Sequence, residues 1–157
     1  MSEMDDRRPG FALPFLLLGA FRSLVDELHE RLAAVGHAGA RPAHGFALQA
    51  IGPHGATTSE LGRRLGVTKQ AAAKTVAALE RLGYVATAPA PGDGRARLVR
   101  RTARGEELLT LSAEIFTTLR AEWAAQLGEE RMQHIEDDLD RIGGGRPLSA
   151  GGPMPTW

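Results

Sequence analysis

The chain has 157 residues, enough for one domain with a real core and too few for two. Its 43% apolar and 24% charged content is ordinary for a globular protein, and the absence of cysteine excludes disulfides, thiolate metal ligands and thiol nucleophiles. The formal charge of zero is segregated: from Leu61 to Arg104 ten basic residues oppose two acids (+8), and from Gly105 to Ile142 three arginines oppose ten acids (−7), concentrating positive potential as a phosphate-binding surface does.

Helix formers dominate and β-branched residues are sparse, so a mainly α fold is expected. Residues 1–10 are read as a loose tail, 11–142 as the ordered domain, and the Gly- and Pro-rich 143–157 as a second tail. The first helix runs from about Phe11 to Val35, with apolar positions at Phe11, Phe15, Leu18, Val25, Leu28, Leu32 and Val35. Arg7 and Arg8 ahead of the apolar run resemble a secretory leader. Acids at Glu3, Asp5 and Asp6, the break at Pro14 and the continuing helical phase favour an amphipathic helix instead. No stretch reaches the roughly 20 apolar residues that span a bilayer, so a cytoplasmic protein with no membrane partner is expected. After a loop from Gly36 to Arg41, Pro42 opens a short helix that ends near Gly52.

Thr57 and Glu60 have the spacing of a capping box, which starts a helix at about Thr58 that Gly66 stops. Thr68 then caps a second helix from Lys69 to Leu82, terminated by Gly83. Helix, three-residue turn and helix make a helix-turn-helix. At 100° per residue, Lys69, Gln70, Ala73, Lys74, Ala77 and Arg81 share a sector of about 140°, while Ala71, Ala72, Thr75, Val76, Leu79 and Leu82 cover the other side. Small residues between long polar ones suit a face that lies against base edges in a major groove. Lys69 and Lys74 are the only lysines in the chain.

Tyr84 to Ala88 reads as a strand, Pro89 to Gly94 as a turn and Arg95 to Arg101 as the returning strand, a β-hairpin with a basic tip. Arg95 and Arg97 on such a ribbon can reach the backbone and an adjacent minor groove. Thr102 caps a long helix with Leu108, Leu111, Ile115, Leu119, Trp123 and Leu127, and a last helix carries Met132, Ile135, Leu139 and Ile142.

In this order the elements resemble a MarR-type winged helix-turn-helix transcriptional regulator over about Phe11 to Ile142. The segment TTSELGRRLGVTKQAAAKTVAALERLGYV resembles the family's helix-turn-helix, and PGDGRARLVRRTARGEELL resembles its wing, with a D-x-R tip at Asp93 and Arg95 and a T-x-x-G helix start. The resemblance implies a winged helix whose long helices, about 11–35 and 103–142, form a homodimer interface beside a DNA-binding lobe at about 42–101. It implies that Thr68, Lys69, Gln70, Ala73 and Lys74 lie on the recognition helix, that Arg95 enters a minor groove and that Asp93 orients the wing. It also implies a pocket for a small aromatic or phenolic ligand, for which His44 and Trp123 are candidates by location. Arg101 departs from the family, standing where an apolar strand residue is usual, and Ala71 and Ala73 replace frequent hydroxyls.

Arg63 and Arg64 on the first helix of the motif are candidates for the DNA backbone. The five scattered histidines predict no metal, and Glu136, Asp137, Asp138 and Asp140 beside His134 read as a solvated helix face rather than an acid/base site. The expected protein is therefore no enzyme and needs no cofactor. It is a ligand-responsive repressor that binds double-stranded DNA as a homodimer, the alternatives being a winged-helix protein-interaction module or a ligand-insensitive DNA-binding protein.

Overall fold

The computed structural model describes residues 8–143; the stretches 1–7 and 144–157, which take in most of the two expected tails, lie outside the described residues. Six helices and a small sheet follow in the order α1 (Ala12–Ala34), α2 (Pro42–Ile51), β1 (Ala56–Thr57), α3 (Thr58–Leu65), α4 (Lys69–Arg81), β2 (Val85–Ala90), β3 (Asp93–Arg101), α5 (Ala103–Leu127) and α6 (Glu129–Gly143). Pro14 does not break α1, because it sits in the first turn, where the missing N–H has no helical acceptor to lose.

The capping residues do what their spacing predicts. The Thr57 N–H donates to Glu60 Oε2 at 2.7 Å, and the Glu60 N–H donates to Thr57 Oγ1 at 3.2 Å. The backbone donor, and then the Thr57 hydroxyl, hold the Glu60 carboxyl below the usual carboxylate range. Thr68 Oγ1 accepts from Ala71 N–H at 3.1 Å, and Thr102 Oγ1 from Gly105 N–H at 3.2 Å. Gly66 ends α3 at φ 67°, a left-handed position that turns the chain directly into α4.

The sheet departs from the expected hairpin in two ways. It has three antiparallel strands in the order β1-β3-β2, since Ala56 pairs with Val99 and Thr57 with Leu98. Its turn is also shorter than the six residues expected: Ala90 pairs with Asp93, so Pro91 and Gly92 alone close it, and an irregularity between Pro89 and Ala90 absorbs the mismatch. A Pro-Gly pair is suited to so tight a reversal.

The core lies where α2 meets α3, α4, β3 and α5, with Leu48, Ile51, Leu61, Leu79, Tyr84, Val99 and Leu108 buried. α1 packs along α5, and α6 folds back on α5. One apolar face is left open: Phe11 at the N-cap of α1, Leu13 and Phe15 on α1, and Ile142 on α6 are each more than 60% exposed. No helix among the described residues is long and apolar enough to cross a membrane.

The junction between sheet and α5 is tight. Tyr84 O accepts from Thr102 N–H at 3.0 Å, the Thr102 hydroxyl donates to Gly83 O, and Gly105 packs so closely on the Tyr84 carbonyl that a Cβ there would overlap it. The glycine of the T-x-x-G start is thus required by space. Gly105→Ala should cost about 1–3 kcal/mol of stability, the usual range for overpacking. Urea unfolding of the two proteins checks this, and an unchanged midpoint would show that the junction yields.

Candidate nucleic-acid interface

α4 presents Lys69, Gln70, Ala73 and Lys74 to solvent, with the capping Thr68 exposed beside them, while Ala72, Val76 and Leu79 face inward. Ala71, assigned to the inner face by its helical angle, is exposed. It lies a quarter-turn from the buried line and in the first turn, where no neighbouring element covers it. Thr75 is half-buried and its hydroxyl donates to Ala71 O at 3.2 Å, so it stays on its own helix.

At the wing, Arg95 N–H donates to Asp93 Oδ1 at 3.0 Å. The carboxylate thereby fixes the backbone just beyond the turn and leaves the Arg95 guanidinium exposed. Arg97 is held differently. It donates to Thr87 Oγ1 at 2.7 Å, and the Thr87 hydroxyl donates to Glu80 Oε1 at 2.9 Å, a strut joining the wing to α4.

The basic block divides into two populations. Arg64 donates to Ala50 O at 2.8 Å and Ile51 O at 3.3 Å, while Arg101 donates to Leu48 O at 2.8 Å and Gln49 O at 3.4 Å. Together they reach the last four carbonyls of α2; the Gly52 N–H also serves Leu48 and Gln49, so the carbonyls of Ala50 and Ile51 rely on Arg64. Arg104 donates to Leu82 O at 3.1 Å and Gly36 O at 2.9 Å and covers the Tyr84 ring. Arg63, Lys69, Lys74, Arg81, Arg95 and Arg100 are exposed and have no hydrogen-bond partner among the described residues. Arg64 therefore differs from Arg63: the expected backbone contact falls on a side chain already engaged with α2.

A cavity of about 460 Å³ opens between α1, α2, α5 and the end of α3. Leu28, Phe46, Leu108 and Phe116 give it apolar walls, and Arg41, Arg64 and His29 supply its basic groups. Neither His44 nor Trp123 lines it. His44 is buried and accepts from Arg41 N–H at 3.1 Å, capping α2, and Trp123 is half-buried further along α5. Among the described residues no cluster of His, Asp and Glu is arranged to hold a metal.

Residues 39–96 match the model of the MarR family. Over that stretch the winged-helix lobe is similar to the MarR family. The chain is similar to the transcriptional regulator Tm0710 from Thermotoga maritima, with 28% identity over 85% of this chain and 92% of that one and a TM-score of 0.60. It shares its fold with PcaV from Streptomyces coelicolor, solved in complex with its natural ligand, at 20% identity over 92% and 98% of the two chains and a TM-score of 0.59. It also shares it with a mutant MepR from S. aureus bound to an oligodeoxyribonucleotide, at 17% identity over 88% and 99% and a TM-score of 0.60. No curated protein matches the chain.

In this MarR-type lobe the arginine departure noted at Arg101 has a structural use, the second half of the α2 cap. His44 gives a further one. Burial, then the charge of Arg41, pushes its imidazole below the ordinary histidine range, and as an acceptor it must be neutral at Nδ1. The unfolded chain therefore takes up a proton at about pH 6.5, before the folded one does, and stability falls as pH drops below that value. The thermal midpoint should fall more steeply from neutral pH to about pH 5 in the wild type than in His44→Gln. Parallel pH profiles would show that His44 does not carry this effect.

Proposed function

We propose that the chain is a sequence-specific DNA-binding transcriptional regulator, a ligand-responsive repressor that acts as a homodimer on a pseudo-palindromic operator. The observation that carries this reading is the exposed face of α4, where the side chains of Lys69, Gln70 and Lys74, with Ala73 between them, have no hydrogen-bond partner among the described residues, as the Arg95 guanidinium at the wing tip has none. Gln70 reads base edges, Lys69 and Lys74 meet phosphates or base acceptors, and Arg95 enters the flanking minor groove. Asp93 and Arg97 set the wing, and Arg63 meets the DNA backbone.

The open apolar face on α1 and α6 supports pairing of two copies through residues of about 11–35 and 103–142, with the lobe at about 42–101 facing DNA. Two-fold symmetry then sets half-sites roughly 10 bp apart. The cavity supports control by a small aromatic or phenolic ligand, and the site of action would be the cytoplasm. That MepR is found with an oligodeoxyribonucleotide and PcaV with a ligand is consistent with both roles.

Binding to the DNA upstream of the chain's own coding region should exceed binding to unrelated DNA of equal length. If the dimer neutralises about 6–10 phosphates, affinity should drop about 10³–10⁵-fold from 50 to 200 mM salt. Equal, weak binding to both would favour a protein-interaction module. With a site in hand, Gln70→Ala should relax base choice at one or two positions per half-site, and Arg95→Ala should reduce the preference for A·T-rich flanks. A uniform loss of affinity in either variant would reassign that residue to the backbone.

A further inference from the structure

The cavity and the helix-turn-helix meet at one side chain. Arg64 stands in the last turn of α3, lines the cavity, and holds the carbonyls of Ala50 and Ile51 at the end of α2. Arg101 holds the two preceding carbonyls from β3 but does not line the cavity. Of the two guanidiniums that clamp α2, only Arg64 is within reach of a molecule in the cavity. Arg41 and His29 add positive or polarisable groups to the wall, and its described lining residues include no Asp or Glu. A bound anion therefore meets Arg64 as one of the cavity's basic groups, and a carboxylate adds charge neutralisation and a two-oxygen fork that separate backbone carbonyls do not offer a guanidinium.

We propose that Arg64 is the residue through which occupancy of this cavity reaches the helix-turn-helix. A small aromatic carboxylate withdraws its guanidinium from Ala50 and Ile51, leaving those carbonyls to water and releasing α3 from α2. Because α3 and α4 are joined by the short turn at Gly66 and pack on one another, the recognition helix moves with α3. A dimer that must place two such helices in successive major grooves loses its match to the operator with a small change of angle. The inference rests on the DNA-binding reading above, and Arg64 acts in it as a positioning residue.

The test uses the full chain and its upstream DNA, with benzoate as the probe and benzamide as its uncharged counterpart. Saturation is read from the benzoate-dependent rise in melting temperature. The quantity compared is the ratio of DNA affinities without and with saturating benzoate, which does not depend on how tightly benzoate binds. The wild type should show a ratio of roughly 5–150, the usual range for coupled sites, and benzamide a ratio near one. Arg64→Gln should bind DNA more weakly, keep the wild-type salt slope, and show a ratio near one. Arg101→Gln should melt lower yet retain the wild-type ratio, which separates a relay from a merely structural clamp.

Retention of the wild-type ratio in Arg64→Gln would overturn the proposal, as would an equal loss in Arg101→Gln. A salt slope reduced by about 0.9 for each arginine removed would place Arg64 on phosphate instead. Absence of any melting shift with millimolar benzoate, or a shift with no change in DNA affinity, would also overturn it. A wild type that binds no DNA at low salt would remove the DNA-binding reading itself, an outcome that affinity without added benzoate reveals on its own.

Discussion

The close approach of Gly105 to the Tyr84 carbonyl is the constraint on which the arrangement of the lobe depends. At that point the end of α4, the start of β2 and the start of α5 are held by close backbone contacts and by Thr102, whose hydroxyl donates to Gly83 O and whose N–H donates to Tyr84 O. Backbone contacts leave little freedom for repacking, since no rotamer change can accommodate an added atom. The Tyr84 ring extends the junction inward, its hydroxyl 3.0 Å from Nδ1 of the buried His37, whose Nε2 lies 3.4 Å from Glu107. The loop after α1, the wing and α5 thus share one anchor, and the long helix carries the lobe at a fixed angle.

Arginine is used here as a backbone ligand as much as a surface charge. The last four carbonyls of α2, the Leu82 carbonyl at the end of α4 and the Gly36 carbonyl in the loop after α1 each accept from a guanidinium elsewhere in the chain. A planar fork can reach two oxygens at once, which an ammonium on a flexible stem does less well. Helix ends tied in this way also tie elements together: Arg64 joins α3 to α2, and Arg101 joins the wing to the same helix.

What the sequence made legible was local. Thr57 with Glu60, Thr68 and Thr102 announce their helices because a cap is formed by residues three apart, and Gly66 stops a helix by its own backbone preference. The exposed face of α4 follows from helical angle alone, except at Ala71, where the first turn outruns its neighbours. The features that escaped are those whose partners are remote. β1 is two residues long and exists only through Val99 and Leu98. Arg64, Arg101 and Arg104 read as three more positive charges, because their carbonyls lie 14, 53 and 68 positions away. The cavity likewise has no local signature, its walls being drawn from four helices.

The division between arginine and lysine has a practical corollary. Where a basic side chain must grip the protein, this chain uses arginine, and its two lysines, Lys69 and Lys74, both stand on the outer face of α4 with no protein partner among the described residues. Apart from the amino terminus, the only primary amines of the molecule are therefore on one helix. Amine-selective acylation of side chains becomes a footprint of that helix, and any occupant that covers it protects both lysines of the chain.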